Sequence, residues 1–222
     1  MKYTGERLIP GETDDARMCQ EHIIRYAWAM HPYCTHRKVL DFSCGAGYGT
    51  QILSWAAEAA LGADRDPETI AYANRYYHNP KTVFTICEAA NLRNYMGRDK
   101  FDVVVSFETI EHLKEPIPFV QQVGEVLVPG GLFIVSAPEK SGSVWHVRDY
   151  TKQDLFETLL AGYWWESYTY FAQDFGAESL IVKDGPGDSA HPTHIFVCQK
   201  GQHEHLAIYD TASAIAAVPV LS

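Results

Sequence analysis

The stretch that decides the fold lies near residue 40, where a short apolar segment runs into a loop rich in glycine. It reads Val39-Leu40-Asp41-Phe42-Ser43-Cys44-Gly45-Ala46-Gly47-Tyr48-Gly49. The apolar residues predict a β-strand, and the alternate glycines stand directly after it and before a helix. Glycines at such a place let the backbone approach a ligand closely and adopt conformations that other residues resist. The stretch therefore predicts a ligand-binding loop, although a structural turn alone would also explain a bare glycine repeat.

The same alternation of a short apolar strand with a helical pattern continues along the chain. Strands are predicted, in chain order, at residues 39–42, 60–64, 83–87, 101–107, 132–136, 164–171 and 194–198. Strands that alternate with helices are typical of an α/β protein with a parallel sheet, because a parallel connection needs a crossover.

Capping residues mark where the intervening helices begin and end. Asp66, followed by a proline, predicts the start of a helix that reaches about residue 77. A second helix is predicted at 117–127 and is ended by the turn Pro129-Gly130-Gly131. Thr151 predicts the start of a third helix.

Two end segments lie outside this alternation. Residues 1–36 contain the amphipathic stretch 22–30 and are predicted to form a helical cap that packs on the domain. Residues 37–200 form the predicted domain itself, and residues 201–222 form a tail of mixed polar and apolar character without an assignment.

The composition excludes several classes of protein. A length of 222 residues suits one ordinary domain, and 46% hydrophobic with 21% charged residues is a globular balance. The net charge of −10 disfavours nucleic acid as a partner, because it repels phosphate backbones. Five cysteines without Cys-x-x-Cys spacing argue against a disulfide framework and a zinc knuckle. Since we find no signal segment and no membrane span, we expect a cytoplasmic protein.

Acidic residues at the strand ends indicate what kind of ligand the glycine loop holds. Asp41 would repel the pyrophosphate of a dinucleotide, and the spacing also departs from G-x-G-x-x-G. A ligand with an ammonium and a sulfonium would instead be attracted by this carboxylate. Asp64 ends the second strand, where it can accept both ribose hydroxyls, although helix capping is the plain alternative. Glu88 follows the third strand and either contacts an adenine amine or lies in solvent.

Five segments follow one another in a recognisable order, namely the glycine stretch and residues 62–68, 88–89, 101–105 and 127–131. Over about residues 37–200, their order and spacing resemble the class I S-adenosylmethionine-dependent methyltransferases. The resemblance is to small-molecule enzymes of the methyltransferase-11, ubiquinone-pathway and glycan-associated kinds. It implies a Rossmann-like α/β fold, with a mostly parallel seven-stranded sheet, one antiparallel strand supplied by the region ending at 194–198, and helices on both faces.

The resemblance also implies S-adenosyl-L-methionine as the cofactor and S-adenosyl-L-homocysteine as the product. The methionine part would lie against Asp41, Gly45 and Gly47. Asp64 would hold the ribose, and the adenine would border Glu88 and Ala89. Ser43 departs from the family, which commonly has glycine there. The predicted cofactor site comprises Asp41, Ser43, Gly45, Gly47, Tyr48, Asp64, Arg65, Glu88, Ala89, Phe107 and Glu108.

The acceptor is expected beyond the fourth strand, because ligands of open α/β sheets bind outside the carboxyl ends of the strands. His112, with Glu111 assisting, is a candidate base for a hydroxyl acceptor, or else a residue that only supports its loop. A lid over the acceptor is expected from residues 136–150 or 183–189. The predicted acceptor-binding residues are His146, Arg148 and Tyr150, although Arg148 could simply pair at the surface.

Residues 108–112 also resemble the Glu-x-x-Glu-His pattern of ubiquinone-pathway O-methyltransferases and of small-RNA 2′-hydroxyl methyltransferases. In those enzymes the side chains hold a divalent metal, and carboxylate and imidazole ligands suit such ions. Because the same string occurs in metal-independent relatives, no metal ligand is assigned. His191 and His194 stand too isolated to indicate a metal site.

The sequence thus predicts methyl transfer to a small molecule, at a hydroxyl oxygen. A sugar-related acceptor is one hypothesis, because residues 3–10 resemble the opening of glycan-associated methyltransferases. The alternatives are N-methylation, aminopropyl transfer by the same fold, and a non-catalytic cofactor-binding scaffold whose tail at 212–221 docks on a partner. Whether the protein forms a homodimer is left open.

Overall fold

Eight β-strands form one sheet in the computed structural model, which describes residues 8–11, 15–98, 100–140, 142–174, 180–185 and 192–202. In chain order the strands are β1 (Lys38–Phe42), β2 (Ala59–Asp64), β3 (Thr82–Ile86), β4 (Phe101–Ser106), β5 (Leu127–Pro138), β6 (Trp165–Gln173), β7 (Ile181–Lys183) and β8 (Thr193–Lys200). Their order across the sheet is β3-β2-β1-β4-β5-β8-β6-β7. Strands β1 to β5 pair in parallel, whereas β8 is antiparallel to both of its neighbours, β5 and β6.

The predicted fold class is confirmed, with one strand more than the seven that were predicted. Strand β8 is the antiparallel strand expected from residues 194–198. The additional strand is β7, which pairs antiparallel with Phe171–Gln173 at the edge of the sheet. Its three residues are too few to show an alternating pattern, so no sequence signal predicted it.

Six α-helices flank the sheet in the described ranges: α1 (Ala16–Ala29), α2 (Tyr48–Ser54), α3 (Pro67–Tyr76), α4 (Leu92–Met96), α5 (Pro116–Val126) and α6 (Lys152–Gly162). The predicted caps are confirmed. The Asp66 carboxylate accepts a hydrogen bond from the backbone N–H of Glu68 at 3.0 Å, at the start of α3. Thr151 and Asp154 form a reciprocal capping box at the start of α6. Within the described ranges, no helix has both the length and the apolar character needed to cross a membrane.

The segment Pro129-Gly130-Gly131 lies inside β5, so the predicted turn before that strand is wrong. Helix α5 ends at Val126, and β5 begins with the next residue. The pairing with β4 jumps from Phe101↔Leu127 to Val103↔Leu132, and the residues between form a bulge. Gly130 has a φ of +76°, which glycine adopts without strain. Proline and glycine therefore kink this strand and do not delay its start.

Both faces of the sheet are buried, as predicted. Helices α1 and α2 cover one face, where Tyr26 and Leu53 pack with Val105 of β4. Helices α5 and α6 cover the other, where Phe119 and Leu155 pack with Val104. Neighbouring strand residues point to opposite faces, so a strand covered on both sides is apolar throughout. The domain boundaries at residues 36 and 200 stay predictions, and residues 1–7 and 203–222 lie outside the described residues.

Candidate functional site

A cleft opens at the edge of the sheet where β1 to β4 reach their carboxyl ends. Asp64, the last residue of β2, lines it together with Gly45, Ala89 and Glu108 from the segments that follow β1, β3 and β4. Helix α1 contributes His22. Residues from four strand ends thus meet in one concave space, which is where open α/β sheets bind ligands.

The glycine loop after β1 has three residues in the left-handed region, namely Ser43 (φ +61°), Gly45 (φ +53°) and Gly47 (φ +94°). A Cβ at Gly45 would meet nothing within 4 Å, so this backbone leaves space beside it in the cleft. A Cβ at Gly47 would lie 2.6 Å from that of Ala73, so close packing on α3 also requires glycine there. Ser43 holds a conformation that favours glycine, which is the residue that the family commonly has at this position.

Asp41 lies beneath the cleft and is absent from its lining. The side chain is completely buried, and its carboxylate accepts hydrogen bonds from the Tyr26 hydroxyl at 3.1 Å and the Thr50 hydroxyl at 2.6 Å. Burial raises the pKa of Asp41 to about 7, although both hydrogen bonds lower it. The structure therefore places this carboxylate one layer below the surface that a ligand would touch.

Asp64 lines the cleft at the end of β2, and its backbone partners fix its position. Oδ2 accepts a hydrogen bond from the backbone N–H of Gly45 at 3.2 Å, and Oδ1 accepts one from that of Asp66 at 2.9 Å. Arg65 and Ala89 belong to the same lining, whereas Glu88 is exposed and does not. The capping role that competed for Asp64 is filled by Asp66.

Phe107, Glu108 and His112 line the cleft after β4. The Nδ1 atom of His112 lies 3.1 Å from the carbonyl oxygen of Trp145. Because a carbonyl can only accept, we assign the proton to Nδ1, which leaves the lone pair of Nε2 available as a base. His112 therefore lies in the cleft lining with Nε2 assigned as unprotonated, and its role as a base stays a prediction.

Glu111 is fully buried behind His112 and does not line the cleft. Neither carboxylate oxygen has a hydrogen-bond partner among the described residues. Burial raises the pKa of Glu111 well above its ordinary value, and the nearby charge of Glu108 adds to this.

His146 packs edge-on against His112 with 4.8 Å between the ring centres, and the pKa of His146 is lowered by burial and then by the charge of His112. One ligand atom each of Glu111, His112 and His146 lies within 4.8 Å of the others, so this cluster could hold a metal ion.

None of the three predicted acceptor-binding residues, His146, Arg148 and Tyr150, lines the cleft. Arg148 donates from Nη2 to the carbonyl oxygen of Lys114 at 3.0 Å, and Tyr150 is buried in the core beneath α6. His194 is buried too, with Nδ1 2.9 Å from the Tyr170 hydroxyl. Of the two candidate lids, residues 141 and 186–189 lie outside the described residues, as does His191.

Helix α1 brings side chains to the cleft that were not predicted from the sequence. The Tyr26 ring lines it, and His22 Nδ1 lies 3.2 Å from the Tyr48 hydroxyl. Arg25 is 1% exposed, and its Nη1 lies 3.0 Å from Glu108 Oε1. These residues share one helix face with the buried Ala29, so polar groups at core positions of an amphipathic helix were the available signal.

Comparisons with known proteins agree with this geometry. Residues 40–135 match the methyltransferase domain family. A relative in Mycolicibacterium smegmatis, named a probable S-adenosylmethionine-dependent methyltransferase, is 36% identical over 140 residues, which is 63% of this chain and 52% of the relative. A ubiquinone biosynthesis O-methyltransferase of Cereibacter sphaeroides is 30% identical, over 45% of this chain and 40% of its own. This chain therefore spans about half the length of the curated relatives it matches, or less.

Among solved structures, a methyltransferase of Thermotoga maritima, named a possible histamine N-methyltransferase, superposes with a TM-score of 0.64 at 16% identity. The match covers 83% of this chain and 93% of that one. At this identity the likeness shows the fold alone. Together with the family match, it confirms the resemblance to class I S-adenosylmethionine-dependent methyltransferases that the sequence motifs indicated.

Proposed function

We propose that the whole protein methylates a hydroxyl oxygen of a small molecule. The proposal starts from the premise that residues 40–135 form a methyltransferase domain of the S-adenosylmethionine-dependent kind. The observation that carries the proposal is the meeting of Gly45, Asp64, Ala89 and His112 in one cleft. The proposal is supported because methyl transfer requires cofactor contacts and a base to share one space, and these candidate residues do.

The residues present fit the cofactor. Asp64 offers carboxylate oxygens for ribose hydroxyls, and Gly45 leaves space for close approach. Arg65, Tyr48 and Phe107 line the same cleft, and Asp41 lies below it, where its ionised form would add negative charge. When bound, S-adenosylmethionine supplies a methyl group activated by its sulfonium, and loses it to become S-adenosylhomocysteine.

On the acceptor side, we assign the base to His112. A hydroxyl is a poor nucleophile until its proton is removed, and general-base catalysis contributes roughly 100- to 10,000-fold. The Trp145 carbonyl accepts from Nδ1, so Nε2 takes the proton. Oε1 of Glu111 lies 3.9 Å from Nε2, too far for a hydrogen bond, so we propose that Glu111 assists only through its charge when it is ionised; His146 packs edge-on against the imidazole.

The proposal assigns no metal to this site. The Oε1 atom of Glu108 accepts hydrogen bonds from Arg25 and Ser136, so this carboxylate of the Glu-x-x-Glu-His string already has a cation beside it. We expect turnover to persist after exhaustive chelation. A loss of activity that Mg²⁺ or Mn²⁺ restores would instead assign Glu111, His112 and His146 as a metal centre.

Two alternatives come from a different acceptor or reaction. The Thermotoga maritima neighbour is named a possible histamine N-methyltransferase, but it shares only the fold, and neither N-methylation nor aminopropyl transfer finds support in the described residues. A non-catalytic scaffold would bind the cofactor without turnover.

We further propose that the protein works in a reducing compartment, the cytoplasm, which the five free cysteines support. A saccharide acceptor and a homodimer remain hypotheses.

Transfer is tested by incubating the protein with methyl-labelled cofactor and cell extract and finding, by mass spectrometry, the product that gains the label. His112→Ala should lower the rate at least about 100-fold while cofactor affinity stays unchanged. Labelled product on a nitrogen would move the proposal to N-methylation, and binding without turnover across the extract would favour the scaffold.

The cofactor site is tested by calorimetry. Asp64→Ala should weaken S-adenosylmethionine about 10-fold or more, because a buried hydrogen bond to a charged group is lost. Asp66→Ala is the matched control, since it removes a neighbouring carboxylate that caps α3 and does not line the cleft. Equal affinities for wild type and Asp64→Ala would contradict the assignment.

A further inference from the structure

Arg25 of α1 is a cation buried against the cleft that neither the predicted cofactor site nor the predicted base uses. Its Nε donates to Oε1 of Gln173 at 2.8 Å, at the end of β6. Its Nη1 donates to Oε1 of Glu108 at 3.0 Å and lies 3.4 Å from Oγ of Ser136. A buried guanidinium is costly unless its donors are paired, and these contacts pair it on several sides.

Glu108 is the acidic partner, and the protein occupies only one of its oxygens. Oε1 accepts from Arg25 and also from the Ser136 hydroxyl at 3.0 Å. In the part of the chain that the structure describes, Oε2 has no hydrogen-bond partner, and the side chain is 21% exposed in the lining of the cleft. The backbone of Glu108 has a φ of +48°, and its N–H donates to Oγ of Ser136 at 3.2 Å. Glu108 is therefore held in one orientation, with one oxygen available to a ligand.

Arg25 joins elements that are distant along the chain. Gln173, which accepts from Nε, also donates from Nε2 to the carbonyl oxygen of Glu21 at 2.9 Å. The guanidinium carbon lies 5.7 Å from the centre of the Phe107 ring, another residue of the cleft lining. Helix α1, the end of β6 and the segment after β4 thus fix the cation together.

We propose that Arg25 is a positioning residue that holds the Glu108 carboxylate toward the sulfonium of the bound cofactor. This inference rests on the proposed function. The sulfonium is the charge that distinguishes S-adenosylmethionine from S-adenosylhomocysteine, and a fixed carboxylate beside it favours the charged molecule. The pair therefore contributes to preferring cofactor over product, and α1 belongs to the site that discriminates them.

The test is calorimetry of the full chain with S-adenosylmethionine and with S-adenosylhomocysteine, so no acceptor is needed. Glu108→Gln and Arg25→Met should each weaken S-adenosylmethionine about 10-fold and S-adenosylhomocysteine less than about threefold. The double variant should bind S-adenosylmethionine no more weakly than the weaker single variant, because Arg25 acts through Glu108. Arg17→Met is the matched control, since it removes an exposed arginine of α1 that pairs with Glu21, away from the lining of the cleft.

Three results would overturn the inference. Tighter S-adenosylmethionine binding by Arg25→Met would mean that Arg25 acts only as a positive charge that repels the cofactor. Equal weakening of both ligands would mean a general structural role, and additive losses in the double variant would mean that the two residues act independently. If Arg25→Met fails to fold, Arg25→Lys replaces it, because lysine keeps the charge and lacks the fork that reaches both partners. The Arg25→Lys variant should still have a selectively lower affinity for S-adenosylmethionine, and wild-type affinity would overturn the inference. A wild-type protein that binds neither ligand would contradict the proposed function instead.

Discussion

Gly49 lies in α2, one residue past the start of that helix, and faces helix α1. A Cβ there would lie 2.2 Å from Cζ of Tyr26, because α1 crosses directly over it. This glycine therefore serves the close contact between two helices and not the approach of a ligand.

Replacing Gly49 with alanine should cost about 2 kcal/mol of the free energy of unfolding, because overpacking typically costs 1 to 3 kcal/mol. The Tyr26 ring has little room to move, since its hydroxyl bonds Asp41 and its edge contacts Phe107 at 5.1 Å between ring centres. Urea denaturation measures the loss.

Gly45→Ala is the informative comparison for Gly49→Ala. Its Cβ meets nothing within 4 Å, so only the strain of a positive φ, about 1 kcal/mol, should appear in stability. The methyl group would enter the cleft, so cofactor affinity should fall more for Gly45→Ala than for Gly49→Ala. The reverse order in either measurement would contradict this division of roles.

Asp41 should make stability depend on pH. Its pKa is raised by burial to about 7 in the folded protein, against an ordinary value of 3.8. A raised carboxyl pKa means that the folded state binds more protons than the unfolded state between these values. The contribution of Asp41 protonation to the free energy of unfolding is therefore fully present below about pH 4 and is lost as the pH rises to about 7. The free energy of unfolding falls by at most about 1.4 kcal/mol per pH unit in this range.

The measurement for Asp41 is the free energy of unfolding of the wild type minus that of Asp41→Asn, at pH 5 and at pH 8. This difference should fall by about 2 kcal/mol over that interval. Subtraction removes the contribution of Glu111, whose raised pKa gives the same sign in both proteins. A difference that stays constant with pH would show that Asp41 is ionised throughout.

At the scale of elements, α6 begins at a capping box formed by Thr151 and Asp154. The Thr151 hydroxyl accepts from the backbone N–H of Asp154 at 3.1 Å, and the Asp154 carboxylate accepts from the backbone N–H of Thr151 at 3.2 Å. Thr151→Ala should cost about 1 kcal/mol in thermal or urea unfolding, because a helix N–H loses its acceptor. Thr151→Ser keeps the hydroxyl and should stay within a few tenths of a kcal/mol. Equal losses for both variants would contradict the capping role.

Element boundaries that rest on local chemistry were predictable, and those that rest on pairing were not. Asp66 and Thr151 cap helices in the structure as predicted, because a cap is decided by a few neighbouring residues. The start of β5 at Leu127 was missed, because the partner strand β4 pairs with residues on both sides of the bulge. The short β7 exists only through its pairing with β6.

At the scale of the whole molecule, α1 completes the cleft rather than merely covering the domain. Tyr26 and Ala29 are buried in the same core as Leu53 and Val105. A chain that begins at Arg37 should therefore lose cooperative unfolding and cofactor binding together, because it exposes this core and removes Tyr26 from Asp41. Met18→Ser, at an exposed position of α1, is the control and should leave both unchanged. Retained affinity in the shortened chain would show that α1 is dispensable.

The sequence by itself determined the strand and helix alternation, the glycine loop, the caps and the positions of Asp64 and His112. These depend on periodicity and local chemistry, which a stretch of about ten residues already contains. Only the tertiary structure decided that Asp41 lies below the cleft, that Glu88 and Arg148 stay outside its lining, and that Arg25 pairs with Glu108. Burial and ion pairing depend on which elements meet in space, and no local pattern records that Arg25 reaches Gln173, 148 residues away.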